Sequence, residues 1–296
     1  MDRNGPVSLP RVQAGSAPQH LLVTLLGDYW LAPAASVPAS ALVQVMAGFG
    51  VSEGNARTAL SRLSRRGIVV TERRGRHSHV HLSEGAAGDV STGARRIMRF
   101  GRESLPWDGR WTLAAFSLPE ERRDVRQRLR SRLRWLGFAA LFDGLWVSAH
   151  DPLPELEELF RSHGVERFSV LRVLGPSLGR SPIEAWDLSQ IHTAYERFLD
   201  DHRELLVRSR AGAIGPAEAL VTRTRVMDAW RAFPGLDPAL PDQLLPEDWP
   251  RLRARSLFAE LYDELGPLAE HRVRQIVEQH RPELAALAVH HTTRDW

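Results

Sequence analysis

The sequence contains no cysteine and no lysine, so all 39 of its basic residues are arginine. Without cysteine the chain cannot form disulfides or thiolate metal sites, and we expect a cytoplasmic protein. Without lysine it cannot use a lysine of perturbed pKa in catalysis. No run of about eighteen apolar residues is present, and the N-terminal residues lack an apolar stretch, so we expect neither a membrane span nor a secretory signal.

The formal net charge is only +3, but the charge is unevenly distributed along the chain. Residues 1–100 contain 12 arginines against 6 acidic residues, whereas the remaining residues contain 27 arginines against 30 acidic residues. Arginine in place of lysine is also what a GC-rich genome produces, so that preference alone indicates no function. The distribution does, because a basic N-terminal third beside a mildly acidic remainder suits contact between one end of the chain and a polyanion.

Residues 18–83 have the pattern of three helices followed by a hairpin. Leucines at helical spacing predict a first helix over 19–31, ended by Pro33, and a second short helix after Pro38. Ser52 is a good N-cap for a third helix over 53–66, and Gly67 is typical of its end. The alternative is an ordinary small helical domain with a hairpin and no nucleic-acid partner.

The third helix combines an apolar stripe with a polar face that contains no acid after Glu53. The stripe consists of Ala56, Ala59, Leu60 and Leu63. The polar face consists of Gly54, Asn55, Arg57, Thr58, Ser61, Arg62 and Arg65. A solvated surface helix usually mixes charges of both signs, whereas this face suits a groove lined by phosphates and base edges.

The hairpin that follows has a basic tip. Strands are predicted over 68–70 and 80–82, and the residues between them include Arg73, Arg74, Gly75 and Arg76. Three helices and a basic hairpin are the order of a winged helix-turn-helix, in which the last helix enters the major groove and the wing contacts the backbone. We therefore predict a DNA-binding surface made of Ser52, Asn55, Arg57, Thr58, Ser61, Arg62, Arg65, Arg73, Arg74, Arg76 and His77.

Three alternating histidines on the return strand, His77, His79 and His81, also raise the question of a metal site. No carboxylate or further histidine follows them at the spacing that a metal ion needs. Imidazoles that contact phosphates fit the wing better, so we predict no metal site.

Residues 84–105 are predicted to be a linker. Their start is rich in glycine, serine and alanine, as domain junctions are, and a short helix over 94–100 carries Arg95, Arg96 and Arg99. This helix is either a charged connector or a contact to flanking DNA.

Residues 106–175 predict a ferredoxin-like domain. Strands are expected over 111–116, 138–141, 145–148 and 168–173, with helices over 120–135 and 153–163, which is the split βαβ order. The first of these helices carries Arg122, Arg126, Arg130 and Arg134 at intervals of four. They form either a solvated face beside Glu120 and Glu121 or a binding site for the phosphates of DNA or of a coenzyme A ligand.

Residues 176–296 predict a helical C-terminal domain after glycines and prolines at 175–182. Its residues 230–250 are punctuated by proline and carry apolar anchors. Trp186, Trp230 and Trp249 are core residues or, alternatively, the lining of a pocket for an aryl group. With a tail over 1–17, expected to be disordered, the whole chain is predicted to be an α+β protein.

Two resemblances sharpen these expectations. The pattern from Ser52 to Val69 resembles the recognition helix of GntR-type winged-helix regulators. On that resemblance Ser52, Asn55 and Arg57 match DNA-contacting positions, although Glu53 and Gly54 stand where those regulators often place arginine and threonine.

The second resemblance is to the PaaX-type repressors of phenylacetate degradation. It is carried by residues 107–111, by Pro119 and Glu120 with Arg122 and Arg126, by Gly137–Phe138 and 144–148, and by 230–250. The middle domain of that family is similar to Cas2, a metal-dependent nuclease that pairs as a homodimer. Residues 115–118 end the first strand without the carboxylate that the nuclease uses, so dimerisation is expected here and nuclease activity is not.

The family resemblance implies a homodimeric repressor, not an enzyme, bound to an inverted-repeat operator of a phenylacetate-like catabolic operon. It implies release by an aryl-acyl-CoA such as phenylacetyl-CoA, and no cofactor. The candidate effector-binding residues are Arg122, Arg126, Arg130, Trp111, Trp230 and Trp249. The alternatives are a Cas2-like metal-dependent nuclease and a module whose arginine faces bind acidic proteins.

Overall fold

A computed structural model describes residues 18–32, 35–75, 77–102, 106–174 and 181–296. The predicted tail at 1–17, Pro33, the wing residue Arg76 and the boundary at 175–180 therefore lie outside the described residues. The chain forms two compact units, each made of separate segments. The first unit contains residues up to 99, 200–230 and 256–296, and the second contains 100–199 and 231–255.

The N-terminal elements have the order of the predicted winged helix. They are α1 (Pro18–Tyr29), β1 (Val37–Pro38), α2 (Ala39–Ala47), α3 (Glu53–Arg65), β2 (Val69–Arg74), β3 (His77–Leu82) and α4 (Glu84–Arg99). The strands form an antiparallel sheet in the order β1-β3-β2. Strand β1 was not predicted, because two residues, one of them proline, show no alternation and suit only a sheet edge.

Helix α3 begins and ends through local interactions that its sequence encodes. The Ser52 hydroxyl accepts the Asn55 amide at 3.4 Å, which confirms the predicted N-cap. Gly67 has a φ of +67°, and the amides of Gly67 and Ile68 donate back to Ser64 O and Leu63 O. This Schellman arrangement satisfies the last carbonyls of the helix and turns the chain into β2.

The start of the predicted linker, which is rich in glycine, serine and alanine, forms the first half of α4. The helix begins at Glu84 rather than near Ala94, and the Ser83 hydroxyl accepts the Ala86 amide at 3.4 Å. Gly27 of α1 lies close to this helix, because a Cβ at that position would stand 2.8 Å from Val90 Cγ1. The helix predicted over 94–100 is therefore the second half of a longer helix that begins at Glu84.

The middle of the chain has the predicted ferredoxin-like order. Its elements are β4 (Arg110–Phe116), α5 (Arg123–Trp135), β5 (Ala139–Phe142), β6 (Leu145–Ser148), α6 (Leu153–Ser162) and β7 (Phe168–Leu174). The four strands form an antiparallel sheet in the order β5-β6-β4-β7. Gly144, with a φ of +79°, makes the turn between β5 and β6.

Both faces of this sheet are covered within the second unit. On one face Leu129 and Leu133 of α5 and Leu156 and Phe160 of α6 pack around Trp146. On the other face a second cluster contains Trp111, Leu113, Leu141, Val147 and Leu240, with Ile183, Trp186, Leu188, Leu244 and Leu245 packed against it. The side chain of Trp111 therefore faces away from α5 and its arginines.

The remaining elements are helical, as predicted. They are α7 (Leu188–Arg210), α8 (Pro216–Trp230), α9 (Phe233–Leu236), α10 (Arg251–Glu264) and α11 (Gly266–Glu278), with 3-10 turns at Pro282–Leu287 and Thr293–Asp295. Among the described helices, none is both long enough and apolar enough to span a bilayer.

Candidate nucleic-acid interface

The polar face of α3 lies on the surface. Ala56, Ala59 and Leu63 are buried, with exposed fractions of 0%, 3% and 0%. The predicted contact residues of this helix are exposed together on the opposite side: Ser52, Asn55, Arg57, Thr58, Ser61, Arg62 and Arg65. The structure therefore brings together all the α3 residues that sequence reasoning selected.

One of these arginines is paired, which differs from the expectation of an unopposed cationic face. Arg57 donates to Glu53 Oε1 from Nη2 at 2.6 Å and from Nε at 2.8 Å. Both side chains are well exposed, at 62% and 67%, so the pair is weak and a phosphate can replace the carboxylate. Within the described part of the chain, Arg62 and Arg65 have no carboxylate partner.

The wing is a tight hairpin. Arg74 pairs with His77 across β2 and β3, which leaves a two-residue turn that starts at Gly75, with a φ of +64°. Arg73 is exposed and His77 is partly exposed. The Arg74 side chain and all of Arg76 lie outside the described residues, so their predicted contacts stay predictions.

The three histidines of β3 have different surroundings. His79 is buried, with 1% exposed, while His81 Nε2 lies 3.6 Å from Glu72 Oε1. His81 Nδ1 lies 2.9 Å from its neighbour's carbonyl, Leu82 O. In the ranges that the structure describes, no group of three or more histidine, aspartate or glutamate side chains is arranged to hold a metal ion.

Helix α2 is attached to the end of α11, a contact that sequence reasoning missed. His280 Nε2 lies 2.7 Å from Gln44 Oε1, and His280 Nδ1 lies 3.0 Å from Ser40 Oγ. Because the amide oxygen only accepts, Nε2 carries the proton in this arrangement. Gln44 also donates to Gln279 Oε1 at 2.9 Å. The ends of these contacts are about 240 residues apart in sequence, so no local pattern announces them.

Helix α1 is attached to the C-terminal segments through a buried arginine. Arg223 of α8 is 0% exposed and donates to Tyr262 O at 3.0 Å, to Tyr29 Oη at 3.3 Å and to His291 O at 2.5 Å. Its Nη1 lies 3.6 Å from Asp28 Oδ2, and Tyr262 Oη donates to Asp28 Oδ1 at 3.0 Å. Burial raises the pKa of Tyr29 to about 12 and raises the pKa of Tyr262 well above its ordinary value, so both hydroxyls are neutral at ordinary pH.

The tryptophans predicted to bind the effector each pack against a neighbouring aromatic ring. Trp230 is 0% exposed, stacks on Phe258 and donates to Ile97 O at 3.2 Å in the first unit. In the second unit Trp111 stacks on Trp186 at 6.0 Å between ring centroids. Trp249 meets Tyr195 edge-on at 6.3 Å. Their predicted role in effector binding stays a prediction.

The arginine ridge of α5 is divided among different contacts. Arg122 donates to Gly164 O at 2.7 Å and to His163 O at 2.6 Å, which ties α5 to the end of α6. Arg126 donates to Leu118 O at 2.7 Å and Pro119 O at 3.3 Å, and Arg134 lies over the Trp146 ring at 5.7 Å. Two of the predicted effector residues, Arg126 and Arg130, line a common cavity of about 430 Å³.

Three family models match the chain in the order of its folded parts. They are described as PaaX-like protein, over residues 17–86, PaaX protein central Cas2-like domain, over 104–177, and PaaX-like protein C-terminal domain, over 186–275. The matches leave only the N-terminus, two short connections and the C-terminal residues uncovered.

Two known proteins are similar over most of the chain. It is 28% identical over 258 residues to the transcriptional repressor PaaX of Escherichia coli, which covers 84% of this chain and 80% of that protein. The solved structure of the uncharacterized protein Rv0674 from Mycobacterium tuberculosis is 23% identical, with a TM-score of 0.55, and covers 88% of this chain and 98% of that one. The second likeness supports the fold alone.

Proposed function

The chain belongs to the PaaX family, and on that premise we propose that it is a transcriptional repressor that binds double-stranded DNA through α3 and the wing. The family is one of transcriptional regulators rather than enzymes. The observation that carries the proposal is the exposed polar face of α3, where Arg62 and Arg65 are joined by hydroxyl and amide groups from Asn55, Thr58 and Ser61.

This combination of groups suits both tasks of a DNA-binding helix. Arginines neutralise phosphates and fix the position of the protein, whereas amides and hydroxyls form hydrogen bonds with base edges. A helix with its side chains is about 10–12 Å across, which matches a major groove about 12 Å wide. The basic wing beside it is suited to the sugar–phosphate backbone.

We propose further that the repressor acts as a homodimer on an inverted-repeat operator. The match of residues 104–177 to a Cas2-like domain supports this, because Cas2 pairs as a homodimer. Two-fold symmetry would present two copies of α3 to half-sites one or more helical turns apart. Sedimentation of the full chain is expected to give a dimer, and a monomer at operator-binding concentrations would refute this part.

The proposed effector is an aryl-acyl-CoA such as phenylacetyl-CoA, and the proposed target is a phenylacetate-like catabolic operon in the cytoplasm. The support is the family resemblance of residues 107–148 and 230–250. Such a ligand releases the operator only if it binds the DNA-incompetent state of the dimer more tightly than the competent state.

A binding assay on the DNA upstream of the protein's own gene tests the repressor proposal. Fluorescence anisotropy at fixed salt compares this duplex with a scrambled duplex of the same composition and length. We expect a preference of at least about a thousandfold for the true operator. Equal affinities for the true and scrambled duplexes, across all upstream fragments, would refute sequence-specific repression.

A further inference from the structure

A cleft at the end of β4 has the composition of a binding site for an organic anion. It is lined by Phe116, Ser117, Leu118, Arg126, Arg130, Asp143, Gly144 and Trp146, and its volume is about 430 Å³. This volume lies within the range of roughly 300–1,000 Å³ that small-molecule sites occupy. All of the lining residues belong to the second compact unit.

The cationic side of the cleft comes from two consecutive turns of α5. Arg126 is held in position by its hydrogen bonds to Leu118 O and Pro119 O. Arg130 is partly buried, and among the described residues no acceptor or carboxylate pairs with it. A guanidinium that lines a cavity without a partner is available to bind a carboxylate or phosphate in a bidentate manner.

The lining of the cleft also includes a carboxylate. Asp143 lies in the turn between β5 and β6, and within the described residues it forms no ion pair with Arg126 or Arg130. Opposite charges that line one cavity without meeting leave room between them for a polar ligand. The single carboxylate also limits the excess positive charge, which favours a ligand that places one anionic group near Arg130.

The remaining lining residues complete an amphipathic site. The Ser117 hydroxyl adds a donor and acceptor, while Phe116 and Trp146 provide an apolar wall. Trp146 is only 2% exposed and is fixed by Arg134 and the core of α5 and α6. A mostly preformed cleft with a few convergent polar groups is the usual form of a small-ligand site.

We infer that this cleft is the effector site of the repressor, with Arg130 binding a carboxylate or phosphate of the ligand and Phe116 contacting its adjacent apolar part. The inference rests on the proposed function, because it assigns to this cleft the ligand that releases DNA. The anion can come from the phosphates of a coenzyme A thioester or from the carboxylate of a free aromatic acid, and the test separates these sources.

Calorimetric titration of the full chain with phenylacetyl-CoA, coenzyme A, phenylacetate and pyrophosphate tests the site. Arg130→Gln is expected to lower the affinity for the ligand that the wild-type protein binds by about tenfold or more, since a charged hydrogen bond is lost. Asp143→Asn is expected to raise the affinity for the same ligand several-fold, because a charge that repels the anion is removed. Arg128→Gln, an exposed arginine of the same helix that pairs with Asp124, is the control and is expected to change nothing.

The outcomes separate the cleft from the repressor function. If only the thioester and coenzyme A bind, the cleft binds the phosphates of coenzyme A. If phenylacetate binds, the cleft binds a carboxylate. Equal affinity in wild type, Arg130→Gln and Arg128→Gln, together with normal release of the operator, would overturn the cleft and leave the proposed function standing. Failure of every probe to bind wild-type protein would overturn both the assignment of the cleft as effector site and the proposed effector. The repressor proposal would still be tested separately, by the affinity for the operator without ligand.

Discussion

Glu53 and Arg57 stand one helical turn apart on α3, and their ion pair places a carboxylate inside the candidate DNA-binding surface. This carboxylate lies in the first turn of the helix, where it interacts favourably with the helix dipole and fixes the direction of the Arg57 side chain. It also repels phosphates and competes with them for the Arg57 guanidinium. We therefore expect Glu53 to limit the general affinity for DNA.

Replacement of Glu53 by glutamine tests this antagonism. We expect Glu53→Gln to tighten binding to both operator and scrambled duplex, and to steepen the slope of log affinity against log salt by about 1. Anisotropy titrations at several salt concentrations measure both. Glu158→Gln removes a comparable acid from an exposed i,i+3 pair with Arg161 and serves as the control. Weaker binding by Glu53→Gln would instead show that the carboxylate orients Arg57 productively.

His291 provides a second prediction at the scale of one residue. Burial lowers the pKa of its imidazole below the usual 6.5, against the opposing effects of Asp28 and Asp295. The folded protein therefore holds His291 neutral, while the unfolded chain takes up a proton as the pH falls through about 6.5. Neutral His291 therefore contributes fully to the free energy of unfolding above pH 6.5. This contribution is lost progressively as the pH falls from 6.5 to the depressed pKa of the folded state.

Urea unfolding between about pH 8 and about pH 5 measures this dependence. We expect His291→Gln to flatten the decline of the free energy of unfolding below pH 6.5, and the exposed His271→Gln to leave it unchanged. Hydrogen bonds lower the pKa values of Glu270 and Asp295 despite partial burial. These carboxylates therefore affect the pH dependence of unfolding only at more acidic pH. An unchanged pH profile in His291→Gln would contradict the assignment.

At the scale of elements, buried Arg223 connects α1 with α8, α10 and the C-terminal residues of the first unit. Removal of one partner from a buried ion pair leaves the other charge uncompensated. We expect Arg223→Met to lower the free energy of unfolding by about 3–5 kcal/mol. The exposed Arg225→Met on the same helix is expected to stay within about 0.5 kcal/mol of wild type.

The double variant distinguishes a charge effect from a packing effect. If the cost arises from the stranded carboxylate of Asp28, Asp28→Asn combined with Arg223→Met will be less destabilised than the sum of the two single variants. Additive losses, or an Arg223→Met variant within about 1 kcal/mol of wild type, would contradict the role assigned to the ion pair.

The same elements show what the sequence can and cannot predict. The N-cap Ser52, the stripe of Ala56, Ala59 and Leu63 and the terminating Gly67 are local signals, and α3 was predicted nearly to the residue. The strands and helices of residues 110–174 follow from alternation and helical spacing in the same way. The start of helix α4 was predicted too late, because its first half is rich in glycine, serine and alanine, a composition typical of domain junctions.

The contacts of Arg223 and His280 leave no such signal. Each joins segments separated by about 200 residues or more, so an arginine in the apolar interior and a histidine near a helix end looked ordinary in the sequence. The arginine ridge of α5 illustrates the same limit within one helix. Its periodicity was evident, but only the positions of the carbonyls at 118–119 and 163–164 show which of its members are tied down and which is free.

At the scale of the whole molecule, residues predicted as one C-terminal helical domain contribute to both compact units. Segments 200–230 and 256–296 complete the unit that contains the winged helix, and 231–255 completes the unit that contains the ferredoxin-like sheet. The winged helix therefore shares its core contacts with C-terminal segments. Movement of those segments therefore has a physical route to the positions of α1 and α2.

The exposed side of α3 is the surface to which DNA binding is assigned, and one comparison tests this assignment directly. A variant with Arg57, Arg62 and Arg65 replaced by glutamine is titrated against operator and scrambled duplex beside a variant with Arg123, Arg128 and Arg132 of α5 replaced by glutamine. Both lose three exposed arginines, so their net charges are equal. We predict that the α3 variant loses operator preference while the α5 variant keeps it. Retention of operator preference by the α3 variant, or equal losses in both variants, would contradict the assignment of α3 as the DNA-binding element.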